Sequence, residues 1–353
     1  MDHTPDPPNP TPPEPAHSKT QRKPETIQGV SPASLARQQS SSLPMPIGPG
    51  AAAPPALAES IQARLLNLAR AQHQDFNQIL TCYARERFLY RMAKTEPTLL
   101  LKGASLYGLD QGLPARPTKD LDLLQRGPTT VTEAETMVRR VCAVPCPEDG
   151  VVFDPASVRG EPIRKDRDPA TAGVRLRLTG YLGPKVRLPV QIDLGFGRAV
   201  IPPPRLADYP NLLPGLPQAK LLAYHWETAI AEKLESIVKH DAVNTRVKDF
   251  FDIWHQATHA PFSYQALRAA VLATFEECQQ PLPEVLPYGL TDDFANDPRT
   301  LAAWAGWSWR LQAAGAPERL AEAMPLIREF TGPVILGQLL PTARWDPARG
   351  WLA

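Results

Sequence analysis

"ARPTKDLDLL", residues 115–124, places Asp120 and Asp122 between leucines in alternation. A period of two is typical of a half-buried strand, whose successive side chains point to opposite faces. Leu121 and Leu123 are therefore expected in a core, with both carboxylates on the other face. Like charges held a few ångströms apart repel each other, which is costly unless something offsets the repulsion.

A third acid lies on another strand with the same pattern. In "LPVQIDLGF", residues 188–196, apolar residues alternate with Gln191 and Asp193, so this carboxylate also projects away from the core. Three acids that converge on one edge of a sheet can bind two divalent cations, and Mg²⁺ prefers oxygen ligands. Metal charge would offset the repulsion between Asp120 and Asp122. Taken alone, an Asp-x-Asp pair is equally typical of solvated strand residues beside loops.

A small-residue turn precedes the aspartate strand. "LLLKGAS", residues 99–105, runs from a short apolar strand directly into Gly103, with Ser105 two residues later. Glycine lets the backbone turn tightly and approach a phosphate, to which N–H groups and a hydroxyl can donate. The order strand, turn, short helix, aspartate strand predicts a site for phosphate and metal. Neither a Walker loop nor the dinucleotide fingerprint is present.

Composition separates a tail from a folded body. Residues 1–55 hold 14 of the 41 prolines in the 353-residue chain and few residues able to form a core, which predicts a disordered tail. The 38 basic and 37 acidic residues balance, so net charge indicates no particular partner. No apolar run approaches the ~20 residues that span a bilayer, and no signal peptide is recognisable. We therefore expect a soluble cytoplasmic protein whose four cysteines are ordinary thiols.

The body divides into an α+β half, residues 56–215, and a helical half, residues 216–353. In the first half, a helix is predicted in "TVTEAETMVRRVCAV" with Thr132 as N-cap and Glu135 completing a capping box. A proline-rich connector, residues 202–217, leads to the helical half. The helices predicted in the helical half are "HWETAIAEKLESIVKH", "TRVKDFFDIWHQAT", "SYQALRAAVLATFEEC", "DPRTLAAWAGWSWRLQAA" and "APERLAEAMPLIREF".

Charged residues stand at fixed spacing in the first two of these helices. Lys233 borders the apolar stripe that Ile230 and Leu234 help to form, and Asp249 and Asp252 lie three apart on one helix face. Surface salt bridges between two helices would explain the same pattern.

Together these stretches resemble the AbiEii family of nucleotidyltransferase toxins from abortive-infection and toxin–antitoxin systems, within the DNA polymerase β-type superfamily. The resemblance runs from about Phe76 to about Phe330 and is carried by "ERFLYRM", "LLLKGASLYGL", "RPTKDLDLL", "VQIDLGFG" and "AEKLESIV…RVKDFFDIW". Two positions depart from the family pattern, both conservatively. Ala104 stands where a second glycine is usual, and Thr118 stands where serine is common.

The resemblance implies a fold and a set of roles. The fold would be a mixed nucleotidyltransferase sheet flanked by helices, followed by a C-terminal helical bundle. Gly103, Ala104 and Ser105 would hold the triphosphate of an NTP. Two Mg²⁺ ions would be bound by Asp120, Asp122 and Asp193, the last also a candidate base. Lys233 would reach a phosphate or the nucleotide, with Asp249 and Asp252 at the same cleft.

Three functions are compatible with these features. The first is a toxin that transfers a nucleoside monophosphate to RNA, with tRNA favoured by the resemblance, or to a protein, and that has a cognate antitoxin. The second is a nucleotidyltransferase acting on a small molecule such as an antibiotic. The third is a catalytically silent nucleotide-binding protein, which the presence of all three strand acids and Lys233 disfavours. The basic residues between positions 159 and 187 would serve as an RNA-facing patch or as a solvated sheet edge.

Overall fold

A computed structural model of the chain describes residues 54–112, 116, 118–163, 173–197, 200–308 and 315–353. The predicted tail therefore lies outside the described residues except for its last two positions. Three of the basic residues of the suggested RNA-facing patch, Arg164, Lys165 and Arg167, also lie outside them.

A seven-stranded mixed sheet forms the centre of the first half, in the order β3-β4-β5-β2-β1-β7-β6. β2 runs parallel to β5 and antiparallel to β1, and β1 runs parallel to β7. The strands are β1 (Leu100–Leu101), β2 (Asp120–Arg126), β3 (Val151–Ile163), β4 (Gly173–Leu182), β5 (Val186–Gly197), β6 (Arg205–Tyr209) and β7 (Ala219–Ala223). The predicted alternation on β2 is confirmed, because Leu121 and Leu123 are buried and the aspartates are only partly so.

Helices flank this sheet. They are α1 (Pro55–Ala71), α2 (Phe76–Thr95), α3 (Leu106–Gln111) and α4 (Val131–Cys142). The apolar residues of α1, α2 and α4 pack with those of the strands into one hydrophobic cluster. The C-terminal part continues with α5 (Trp226–His240), α6 (Val247–His259), α7 (Tyr264–Glu277), α8 (Asp292–Asn296), α9 (Pro298–Ser308) and α10 (Leu320–Leu336). The fold class predicted from the sequence, a mixed sheet flanked by helices and followed by helices, is confirmed.

A second hydrophobic cluster belongs to the helical part. It begins at Ile230 and extends to Trp345, whereas the first cluster ends at Ala229, so the two clusters meet within α5. Leu234 and Ile237 are fully buried in the second cluster, as the apolar stripe of this helix predicts. The division into domains near residue 215 stays a prediction, and the sheet itself continues to Ala223.

Strands β3, β6 and β7 were not predicted from the sequence. β3 contains Pro155, Gly160 and Pro162, which lower the expectation of a strand, and it lies at an edge of the sheet, where proline is tolerated. β6 lies inside the supposed connector at the opposite edge. The C-terminal end is also less helical than expected, since β8 (Phe262–Ser263), β9 (Arg344–Asp346) and β10 (Gly350–Leu352) form a small second sheet.

The predicted N-cap of α4 was wrong by two residues. Thr130, not Thr132, caps the helix: its hydroxyl accepts the N–H of Glu133, whose side chain accepts the N–H of Thr130. Glu135 instead accepts the backbone N–H of Gly160 on β3. The error arises because both threonines are followed by glutamate three residues later, so both positions show the capping-box pattern.

None of the helices in the described part of the chain is long and apolar enough to cross a membrane.

We expect Thr130→Ala to lower the free energy of unfolding by about 1 kcal/mol, because it leaves a helix N-terminus without its cap. Thr132→Ala on the exposed side of the same helix is the control, and its effect should stay within about 0.5 kcal/mol. Urea unfolding followed by circular dichroism measures both. Equal losses from the two variants would contradict the assigned cap.

Candidate active site

The three strand carboxylates lie in two neighbouring strands. In the parallel pairing of β2 with β5, Asp122 stands opposite Asp193 and Asp120 opposite Gln191. The side-chain amide of Gln191 donates to Asp120 Oδ1. The structure therefore brings the predicted acids to one region of the sheet and places an amide beside one of them.

Asp122 shows how crowded with negative charge this region is. Burial raises the pKa of Asp122 from 3.8 to about 6, and the carboxylates of Asp193 and Asp120 push it in the same direction. Lys102 and Lys233 act against this rise without cancelling it. A cation placed here would meet carboxylates whose mutual repulsion is not yet offset.

The backbone of Gly103 lies directly against this acid. Its φ of +65° lies in the left-handed region, and a Cβ at this position would collide with the Asp122 carboxylate. The adjacent backbone is tied to β2, since Lys102 N donates to the carbonyl of Asp122 at 3.0 Å. Ala104 and Ser105 follow in the same short 3₁₀ turn and are buried. The turn predicted from "KGAS" therefore exists, and it lies against the aspartate strand.

Arg175 holds the third acid. Its Nε and Nη2 donate to Asp193 Oδ1 and Oδ2 at 2.8 and 2.6 Å, in the planar two-bond geometry that arginine and carboxylate favour. From the sequence, Arg175 was expected only as one of the basic residues between positions 159 and 187. Its pairing follows from the antiparallel register of β4 and β5, which sets Arg175 directly opposite Asp193.

Lys233 lies between two carboxylates of α6. Its Nζ is 2.6 Å from Asp252 Oδ2 and 3.2 Å from Asp249 Oδ1. Asp249 Oδ2 also accepts from Arg246 Nε at 2.8 Å. The three predicted residues of the helical half are thus in direct contact. They form salt bridges between two helices, as the alternative interpretation expected, but their side chains are 1–11% exposed and do not lie on the open surface.

Asp252 receives two further donors from the first half of the chain. Arg116 donates through Nε to Oδ1 at 2.6 Å and through Nη2 to Oδ2 at 2.8 Å, and the hydroxyl of Tyr107 donates to Oδ1 at 3.1 Å. Burial alone would raise the pKa of Asp252, but Arg116 and Lys233 outweigh it and hold that pKa below the ordinary 3.8. Asp252 is therefore ionised, and both of its carboxylate oxygens accept from donors that tie α6 to α5 and to the first half of the chain.

A second ion pair joins the two halves and was not foreseen. Lys102, which precedes Gly103, donates to both carboxylate oxygens of Glu232 on α5 at 2.8 and 2.9 Å. The hydroxyl of Tyr224 donates to the same carboxylate at 3.2 Å. The sequence signals for this ion pair were the position of Lys102 directly before the turn and that of Glu232 directly before Lys233.

The start of β2 is fixed by a buried arginine. Arg85 on α2 donates through Nη1 to the carbonyls of Thr118 and Asp120, at 3.0 and 3.4 Å. The Thr118 hydroxyl donates to the Asp120 carbonyl at 3.3 Å. Because serine has the same hydroxyl, the departure from the family pattern at Thr118 preserves this bond.

The donor chemistry suits a hard divalent cation, although no group of three or more His, Cys, Asp or Glu in the described residues is arranged as a metal centre. Asp193 is engaged by Arg175 and Asp120 by Gln191. The fit rests on Asp122, an ionisable oxygen donor with like-charged neighbours, lying against the Cβ-free surface of Gly103.

The chain is similar in sequence to a known protein family and, more distantly, to solved structures. Residues 87–323 match the family described as the nucleotidyl transferase AbiEii toxin of type IV toxin–antitoxin systems. Among solved structures, MenT4, a nucleotidyltransferase toxin from Mycobacterium tuberculosis, is similar at 17% identity and a TM-score of 0.48, covering 80% of this chain and 90% of that chain. A protein from H. pylori whose crystal structure is assigned as a nucleotidyltransferase is similar at 16% identity and a TM-score of 0.39, covering 73% and 93%. No curated protein sequence matches. At these identities and TM-scores the two structures add no argument about the site.

We expect Asp252→Asn to lower the free energy of unfolding by about 3 kcal/mol, because it leaves Arg116 and Lys233 buried without their shared carboxylate. Asp292→Asn is the control: Asp292 also pairs with an arginine but is largely exposed, so its loss should cost below about 1 kcal/mol. Urea unfolding at pH 7 measures the difference. Equal losses from the two variants would contradict the anchoring role of Asp252.

The pH dependence of the Asp252 effect has a defined sign. Because the folded-state pKa of Asp252 is lowered, its stabilisation is complete above the ordinary carboxyl pKa of 3.8 and is lost as the pH falls towards the folded-state value. The stability gap between wild type and Asp252→Asn should therefore narrow below about pH 4. A gap that widened in acid would contradict the ionised state of Asp252.

Proposed function

The chain belongs to the AbiEii family of nucleotidyl transferase toxins, and on that premise we propose that it transfers a nucleoside monophosphate from an NTP to RNA. The family membership makes the chain a nucleotidyltransferase; the acceptor, with tRNA favoured over protein, is part of the proposal. A cognate antitoxin and a cytoplasmic location follow from the same toxin–antitoxin assignment. The observation that carries the proposal is the placement of the strand carboxylates beside the Gly103 turn.

The triphosphate would lie at the turn formed by Gly103, Ala104 and Ser105. Backbone without a Cβ at Gly103 permits the close approach that a phosphate needs, and successive N–H groups in such turns bind anions. Lys102 adds a cation directly before the turn, where it is bonded to Glu232. The burial of Ala104 keeps this turn rigid, and a rigid turn favours positioning of the transferred phosphoryl group.

Asp120, Asp122 and Asp193 would hold the two Mg²⁺ ions. Ions bound there would lower the pKa of the acceptor hydroxyl and stabilise the departing pyrophosphate. Asp193 would also serve as a base, because its carboxylate, once clear of Arg175, can accept the proton of the acceptor hydroxyl. The protein itself would supply positioning and electrostatic stabilisation, with no covalent enzyme intermediate.

Lys233, Asp249 and Asp252 would act from the helical half. The charge of Lys233 lowers the pKa of Asp122, which supports a role for its ammonium beside the carboxylate strand. Asp249 and Asp252 hold that ammonium in place from two sides. Asp252 already accepts four donor contacts, so we assign its part in nucleotide binding to the positioning of Lys233 and Arg116.

The acceptor can be identified directly. The purified chain is incubated with Mg²⁺, each α-labelled NTP in turn, and total tRNA, total protein or a panel of aminoglycosides. Label on tRNA supports the proposal, whereas label on a protein or an aminoglycoside identifies the alternative acceptor. Nucleotide binding without transfer to any acceptor would indicate the catalytically silent alternative.

We expect Asp120→Asn and Asp122→Asn each to reduce transfer by about 100-fold or more, since each removes a charge worth several kcal/mol to a metal-assisted transition state. Asp208→Asn is the control, because Asp208 is a strand aspartate on β6, at the far edge of the same sheet. The thermal midpoint of Asp122→Asn should equal or exceed that of wild type, because burying the charged form is unfavourable. Transfer near the wild-type rate in either variant would refute the carboxylate assignment.

We expect Lys233→Ala to reduce transfer by ~30- to 150-fold, corresponding to the ~2–3 kcal/mol of a charge-assisted contact in a dry site. Lys239→Ala, six residues later on the same helix but exposed, should have little effect. The rate is measured together with the unfolding midpoint, because Lys233 also pairs with two buried carboxylates. Equal rates for the two folded variants would assign Lys233 a structural role alone.

A further inference from the structure

One row of side chains crosses the sheet beside the candidate site. Asp122 on β2 stands opposite Asp193 on β5, and Asp193 stands opposite Arg175 on β4. Directly opposite side chains in a sheet are about 5 Å apart at Cβ and interact. Arg175 is therefore a cation that the sheet register itself places next to Asp193.

The ion pair between Arg175 and Asp193 has good geometry but is exposed enough for another cation to replace Arg175. Both oxygens of Asp193 accept from the guanidinium, and these hydrogen bonds, together with the charges of Asp193 and Asp120, raise the pKa of Arg175 against the effect of burial. The two side chains remain 32% and 18% exposed. Partly exposed ion pairs are modest in energy, so a divalent cation with several carboxylate ligands can compete with this one.

The neighbouring basic residue on the same face of β4 has other partners. Arg177 pairs with Glu161 at 2.9 Å and donates to Gln191 at 3.2 Å. It carries the same charge two residues along the strand and bonds none of the three acids directly; its partner Gln191 in turn donates to Asp120. The chain thus offers a matched control for the charge of Arg175.

We propose that Arg175 is a resident counter-ion of Asp193 that a divalent cation has to displace, and that it thereby sets the cation concentration at which the site fills. The inference rests on the proposed function, because it takes Asp193 to be a metal ligand. Arg175 is a positioning residue, since it acts through the availability of Asp193.

Binding of Mn²⁺ to the full chain without nucleotide tests this, with free Mn²⁺ measured by electron paramagnetic resonance. Arg175→Gln should bind Mn²⁺ about three- to fivefold more tightly than wild type, the scale of one partly exposed ion pair. Arg177→Gln should change the affinity less than about twofold, because Arg177 is half exposed and bonds Glu161 and Gln191 rather than the three acids. Arg175→Lys, which retains the charge without the two-bond fork, should fall between wild type and Arg175→Gln.

The double variant Arg175→Gln/Asp193→Asn should lose the gain in affinity. Unchanged or weaker binding by Arg175→Gln, with a wild-type unfolding midpoint, overturns the inference, as does a gain that survives Asp193→Asn or that Arg177→Gln reproduces. Transfer assays on wild type separate the two proposals. If wild type transfers nucleotide but Arg175→Gln binds Mn²⁺ no more tightly than wild type, only the counter-ion inference is overturned. If wild type neither transfers nucleotide nor binds Mn²⁺, both proposals are overturned.

Discussion

The ion pair between Arg116 and Asp252 joins the segment that leads into β2 to the helical half of the chain. Both side chains are buried, so neither charge is stable there without the other. Lys233 and Tyr107 also contact the Asp252 carboxylate and complete its set of hydrogen-bond donors. Because the partly buried acids of β2 follow this segment directly, their position relative to Lys233 depends on Asp252. The helical half contributes charges that are already balanced, whereas the charge of Asp122 on the sheet is only partly offset by Lys102 and Lys233.

Much of the fold could be predicted because its strongest signals are local. The alternation around Asp120 and the apolar stripe of α5 each follow from a few neighbouring residues, and both are confirmed. β3 was not predicted, because its prolines are tolerated only at a sheet edge and the sequence does not show that β3 lies at one. The cap of α4 was misplaced because two threonine–glutamate pairs overlap, and only the surrounding packing selects Thr130.

The candidate site was predictable in its residue types but not in its partners. Acids on alternating strands and a glycine after a strand are visible in the sequence, and the structure brings them together. The pairing of Arg116 with Asp252 spans 136 positions and that of Lys102 with Glu232 spans 130, so no local pattern indicates either. The spacing of charged residues singled out Lys233 and Asp249, the resemblance to the family implied their roles, and geometry alone showed that they bind each other.

The distance along the chain between Arg116 and Asp252 has a consequence for biosynthesis. A chain emerging from the ribosome presents β2 and its carboxylates well before Asp252 has been made. At roughly 5–20 residues per second, 136 residues correspond to roughly 7–27 s of translation. Arg116 lacks its carboxylate throughout that interval, and Lys233 is itself made only late in it. The charged cluster around Asp252 can therefore form only after the second half of the chain has been synthesised.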